Sequence, residues 1–231
     1  MGGSTEDWRS VQTRLPGLSL PLDAAAASPP DCAEKLAGEV VVQVSGSFTL
    51  CGYSMGGRIG LLAAQMLLER KKKPEALILV SSGLGLATES ERLERTRIDE
   101  EWAALAASDT EEFWKKWYEQ GIFATFHALP ENARKGWMEQ RKSIEPASLA
   151  SQLRNLGPGR HSELESVLKD ILSKGVRVLY VVGDRDSKYV EFAERVRGFP
   201  GLQVDQIPGA GHILPLEAPE ALAMRIAKFI R

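Results

Sequence analysis

Between a short apolar run and an amphipathic segment the chain carries Gly52-Tyr53-Ser54-Met55-Gly56, a G-x-S-x-G pentapeptide inside "TLCGYSMGGRIG". "SFTLCG" at 47–52 reads as a buried strand. "GGRIGLLAAQMLLERKKK" follows, with Ile59, Leu62, Ala63, Met66 and Leu67 spaced by three and four, the helical period. Strand, tight turn and helix in immediate succession put the serine on a sharp bend between a sheet and a helix. Small neighbours are needed there, because side chains on such a bend collide with the strand or the helix. A helix start just behind the serine also brings backbone N–H groups and the positive end of the helix dipole close to its hydroxyl.

The rest of the chain alternates in the same way, with one interruption. "EALILVSS" at 75–82 is a continuous apolar run, the pattern of a strand covered on both faces. Residues 31–45 read as a helix running into a turn, although "EVVVQV" also fits a strand. Residues 85–172 are rich in charge, helical in pattern, and hold Trp102, Trp114, Trp117 and Trp137. Strand patterns return at 176–183 and 202–208, and helical ones at 191–199 and 219–230. This order predicts an α/β protein: a mostly parallel sheet flanked by helices, with an inserted helical cap. The expected divisions are 1–84 (core), 85–172 (cap) and 173–231 (core). The cap would leave from the carboxyl edge of the sheet, where such folds hold ligands.

Composition narrows the function classes. With 29 basic and 31 acidic side chains in 231 residues, net charge is -2. That balance gives no reason to expect nucleic acid or an anionic membrane as partner. No apolar run reaches the roughly 20 residues of a membrane span, and "MGGSTEDWRS" lacks the features of a secretory signal. Two cysteines, Cys32 and Cys51, speak against a disulfide framework and against a metal site built on cysteine pairs. Cys51, inside the apolar run, reads as a small buried hydrophobe.

An activated serine needs a base, and the base needs an acid to orient it. Three histidines exist. His127 and His161 fall in the expected cap, whereas His212 sits in "PGAGHILP", a glycine-rich loop after a late strand. The acid should lie in between and just after a strand. "VVGDRDSKY" supplies Asp184 and Asp186, both directly behind the strand at 176–183.

The order Ser54, aspartate, His212 resembles the α/β-hydrolases. A finer resemblance is to the 2-succinyl-6-hydroxy-2,4-cyclohexadiene-1-carboxylate synthases of menaquinone and phylloquinone biosynthesis. It is carried by "GYSMGGR", "RLERTRIDEEW", "FWKKWYEQGIF", "EQRKS", "YVVGDRDSKY" and "PGAGHILPLEAPEAL", over roughly residues 47–231. The cap stretch and "GDRDSKY" are its most particular parts. The resemblance selects Asp186 as the acid and leaves Asp184 to cap the loop. It implies elimination of pyruvate from a succinyl-enolpyruvyl cyclohexene carboxylate, with no metal or organic cofactor and with Ser54 acting as a base. It also implies substrate contacts by Tyr53, Arg58, Arg95, Trp117 and Arg141, and a backbone oxyanion donor at Met55. Arginine suits a polycarboxylate because its planar fork binds a carboxylate through two hydrogen bonds. Choosing Arg95 over Arg92 or Arg97 rests on the alignment alone.

The same resemblance sets expectations for the rest of the molecule. The expected partner is a small anionic substrate; the charge balance argues against nucleic acid and membrane, and a monomer is the expectation where the sequence leaves the oligomeric state open. It is cytoplasmic if bacterial, or in a plastid or other organelle if from a phototrophic eukaryote. Members of that family begin with a strand ending in His-Gly and an apolar residue, whose loop gives a second oxyanion N–H. Here "MGGSTEDW" resembles the segment just after that loop, and "LPLDAAAASPPD" stands near the family's Asp-x-Pro-Gly-His-Gly loop. The first strands and the second donor are thus expected to be missing, with loss of stability and rate. Two other functions fit the triad pattern: a serine hydrolase acting on a small ester or thioester, and a non-catalytic relative that keeps the fold.

Overall fold

The computed structural model describes residue 3, residues 5–15 and residues 32–231. The stretch 20–31, singled out above, lies outside the described residues. A 3₁₀ turn at Thr5–Trp8 runs into the short α1 (Arg9–Gln12). After it come α2 (Cys32–Gln43), β1 (Thr49–Tyr53), α3 (Met55–Glu69) and β2 (Ala76–Val80). Four helices then follow in series: α4 (Glu89–Ser108), α5 (Thr110–Glu119), α6 (Glu131–Lys142) and α7 (Pro146–Leu156). The chain continues with α8 (Glu165–Ser173), β3 (Arg177–Gly183), α9 (Ser187–Val196) and β4 (Leu202–Ile207). It closes with α10 (Leu214–Glu217) and α11 (Pro219–Ile230).

Among the described residues the four strands form one parallel sheet in the order β1-β2-β3-β4. Parallel neighbours need long crossovers, and helices supply each of them. Every residue of β2 is buried, and every residue of β3 except Arg177. These two strands lie in the middle and carry helices on both faces, which is why they read as unbroken apolar runs. One face packs Leu77, Leu79, Val178 and Tyr180 under α2, α3, α8 and α9. The other packs Ile78, Val80, Leu179 and Val181 against Leu222 and Ile226 of α11 and Val11 of α1.

Two ambiguities of the sequence resolve on packing. The stretch containing "EVVVQ" is helical, because Ala33, Leu36, Ala37 and Val41 share one helical face and that face is buried in the core. Among the described residues Cys51 is exposed, against its reading as a buried hydrophobe, although desolvation by the atoms around it pushes its thiol pKa up to about 12. Among the described residues β1 lies at the sheet edge, so Cys51 has a described paired strand on one side only, and alternate residues such as Leu50 turn into the core.

The helical block sorts into two parts. Helices α4 to α7 surround their own apolar cluster, in which Phe113, Trp114, Trp117, Tyr118 and Trp137 are buried. Helix α8 instead puts Leu168 and Ile171 into the cluster on the sheet. The start of α4 is fixed by a capping box, in which Thr88 and Glu91 satisfy each other's backbone N–H groups. Among the described residues no helix is long and apolar enough to cross a membrane.

Candidate active site

Ser54 stands between β1 and the first turn of α3 with φ 52°, a left-handed conformation that a side-chain-bearing residue rarely adopts. Two hydrogen bonds to the neighbouring strand and its exit hold it there. The Ser54 N–H donates to Val80 O at 2.9 Å, and the Ser82 hydroxyl donates to Ser54 O at 2.8 Å. The steric demand falls on particular glycines. A methyl on Gly52 would overlap the Gly56 carbonyl, and one on Gly57 would overlap the Ser82 hydroxyl. A methyl on Gly56, the last residue of the pentapeptide, would meet nothing. Met55 is the first residue of α3, so its N–H has no acceptor within the helix and is available as an oxyanion donor.

His212 and Asp186 reach the serine from loops after β4 and β3. His212 Nδ1 lies 2.7 Å from an Asp186 oxygen, and His212 Nε2 lies 3.3 Å from the Ser54 hydroxyl. With Nδ1–H donating to the carboxylate, Nε2 presents its lone pair to the serine, as a general base must. Both partners are buried, Asp186 to 2% exposure and His212 to 3%. Asp184 serves the loop instead: it accepts the Gly209 N–H at 2.7 Å.

Several supporting residues escaped the reading of the sequence. Glu217 accepts the N–H groups of Gly211 at 2.6 Å and Ile213 at 2.8 Å, gripping the backbone on both sides of His212. Tyr189 stacks on the imidazole at 5.0 Å between centroids, and its hydroxyl pKa is raised by burial. Phe123 of the cap meets the imidazole edge-on at 5.8 Å. Glu217 belongs to "PLEAPEAL" and Tyr189 to "GDRDSKY", so a search of those segments for groups facing the histidine loop would have flagged both.

A cavity of about 1450 Å³ opens onto Ser54 and His212 between the sheet edge and the cap. Tyr53, Arg58, Arg95, Trp117 and Arg141 all line it, as do Lys188 and, from the N-terminal segment, Gly3, Thr5 and Asp7. Trp117 is also a core residue, edge-on to Trp102 and stacked on Phe113, each at 5.3 Å. Arg95 donates to Asp99 at 2.9 Å. The alternatives lie elsewhere: Arg97 pairs with Glu94 on the surface, and Arg92 donates to the Leu86 and Ala87 carbonyls.

The remaining two arginines are buried and are held in different ways. Arg58 donates from Nε to His161 Nε2 at 3.1 Å and from Nη2 to Leu156 O at 2.9 Å, and burial lowers its pKa. Arg141 gives its fork to Asp7, with two contacts of 2.7 Å, and lies over the Trp137 ring at 3.4 Å. Burial works to lower the Arg141 pKa, but the contacts to Asp7 and Tyr118 leave it raised. The two-pronged carboxylate contact expected of Arg141 therefore exists, with a carboxylate of the chain itself. His127 is exposed, with Nε2 at 2.9 Å from Tyr118 O, and takes no part in the site. No group of three or more potential metal ligands occurs among the described residues.

Residues 5–225 match the profile of the Alpha/beta hydrolase family. The chain is similar to a putative 2-succinyl-6-hydroxy-2,4-cyclohexadiene-1-carboxylate synthase of Bacillus subtilis, 31% identical over 183 residues. That match covers 78% of this chain and 65% of the Bacillus protein. It is similar also to the synthase of that name from Enterobacter, 28% identical over 235 residues, covering 100% of this chain and 85% of that one. Among solved structures it superposes on MenH from S. aureus with a TM-score of 0.84 at 23% identity, covering 100% of this chain and 90% of the other.

Proposed function

The chain belongs to the Alpha/beta hydrolase family, and from that premise we propose that it is a carbon–oxygen lyase of menaquinone or phylloquinone biosynthesis. Its substrate in this reading is 2-succinyl-5-enolpyruvyl-6-hydroxy-3-cyclohexene-1-carboxylate, and its products are pyruvate and 2-succinyl-6-hydroxy-2,4-cyclohexadiene-1-carboxylate. One observation carries the reading. Five cationic side chains, Arg58, Arg95, Arg141, Lys188 and Arg195, line the cavity onto which Ser54 and His212 open, and all but Arg141, whose fork is held by Asp7, can turn a donor to a substrate. A substrate with several carboxylates needs fixed cations, and a neutral ester does not. The named synthases among the relatives support the same assignment.

The chemistry follows from the triad. His212 Nε2 takes the Ser54 hydroxyl proton while Asp186 steadies the imidazolium. The serine oxygen removes a ring proton, and the electron pair shifts through the ring. The bond to the enolpyruvyl oxygen then breaks, so that the leaving group departs as the enolate and is protonated to pyruvate. No acyl-enzyme forms. Release of pyruvate from this substrate by the wild type, and its loss in Ser54→Ala, tests the reading. A folded protein that releases none defeats it.

A second reading is favoured by the left-handed bend at Ser54 and the free N–H of Met55 behind it. Those features suit an acyl-enzyme and its oxyanion. A hydrolase would be labelled at Ser54 by a fluorophosphonate and would turn over small esters.

A further inference from the structure

We propose that His161 is a positioning residue that aims Arg58 into the active site, and that it does so only as the neutral imidazole. The inference rests on the lyase reading for its kinetic consequence and on geometry for its substance. A guanidinium has donors and no acceptor. With Arg58 Nε 3.1 Å from His161 Nε2, the imidazole must accept at Nε2. The ring proton then belongs on Nδ1, which lies 3.3 Å from Ser162 O and donates to it. Both ring nitrogens are used and both roles are assigned by their partners.

The contact sits where a small shift matters. Arg58 lies one helical turn beyond Ser54 on α3, and its guanidinium lines the cavity. Its two hydrogen bonds go to Leu156 O at the end of α7 and to His161 in the loop that follows, both on the cap side. Nη1 has no protein partner among the described residues, which leaves it for an anionic substrate. His161 thus ties a cation on the core helix to the cap. Its removal would free the guanidinium to rotate while the triad stayed intact.

The charged and titratable neighbours of Arg58 in this pair are Arg95 and Asp99 from α4 and Lys188 and Tyr189 from α9. Against His161 itself stands the Arg58 cation, and beside its Nδ1 the backbone at Gly85. Burial first and Arg58 second lower the imidazole pKa from 6.5 to about 4, in accord with a ring that must not charge.

The experiment compares wild type, His161→Gln and His161→Phe, each checked for a native circular dichroism spectrum. Pyruvate release gives KM and kcat, and nitrogen-15 spectroscopy of the wild type and of Arg58→Lys reads the state of His161. We expect His161→Phe, which keeps the ring and loses the acceptor, to raise KM roughly tenfold or more with a smaller change in kcat. His161→Gln, which restores an acceptor, should recover most of that loss. In the wild type at pH 7, Nε2 should be the unprotonated nitrogen. Unchanged kinetics in folded His161→Phe, or a proton on Nε2, would overturn the proposal. If the wild type released no pyruvate, the lyase reading would fall, and the nitrogen spectrum would still decide the His161–Arg58 contact.

Discussion

Asp7 and Arg141, far apart in the chain, form a two-pronged ion pair with both contacts at 2.7 Å and both side chains about 2% exposed. The pair joins the N-terminal segment to the cap, and both residues line the cavity. Removing one partner leaves a buried charge without compensation, at a cost of roughly 3–5 kcal/mol. Asp7→Ala should therefore lower the stability measured by urea unfolding by about that amount. The double variant Asp7→Leu, Arg141→Met should lose less than the sum of the single changes.

The three triad residues act as one unit, so their deletions should not add. Ser54→Ala and His212→Ala are each expected to reduce turnover by several orders of magnitude, and the double variant by no more than either alone. Asp186→Asn should cost roughly 10⁴-fold, because it favours the wrong imidazole tautomer. Single-turnover pyruvate release measures all of these.

Glu217 predicts a loss without any contact to substrate. It accepts the two N–H groups that flank His212, and each such charge-assisted bond contributes about 1.5–3 kcal/mol. Glu217→Ala should lower kcat while leaving KM nearly unchanged, and should broaden the His212 signals in nitrogen-15 spectra.

The two adjacent glycines after the serine should respond in opposite directions. A methyl at Gly57 meets the Ser82 hydroxyl that anchors the bend, so Gly57→Ala should destabilise by roughly 1–3 kcal/mol. Gly56 lies in the first turn of α3 with open space around it, and alanine there should gain about 0.5–1 kcal/mol. Thermal melts of the two variants distinguish them, although only Gly56 belongs to the G-x-S-x-G motif.

His161 gives the stability a dependence on mild acid. Its pKa is lowered in the folded chain, to about 4 against 6.5, so between those values the unfolded chain binds more protons. Stability then rises with pH through that window: the contribution is complete above pH 6.5 and is lost as the pH falls towards 4. Its full size is about 3 kcal/mol. Urea midpoints measured from pH 4 to 7 should show a slope that is reduced in His161→Gln.

Local chemistry made much of the site legible in advance. The bend at Ser54, the strand at 75–82 and the loop histidine at 212 each depend on neighbours within a few residues, and glycine content and apolar period reveal such dependence. The choice of Asp186 over Asp184 needed either the family resemblance or the distances, because both stand at the same strand exit. What the cations do was beyond the sequence. Arg58, Arg95 and Arg141 are alike as residues; Asp99 reaches Arg95 from one turn along the same helix, whereas only long-range packing brings Asp7 to Arg141 and His161 to Arg58. The burial of "EVVVQ" as a helix and the exposure of Cys51 were settled the same way, by which neighbour covers which face. The sequence alone determined the parallel α/β architecture and a serine poised on a bend, since apolar period and backbone sterics act locally. Tertiary structure decided which charges face one another, since that depends on contacts between residues that only folding makes adjacent.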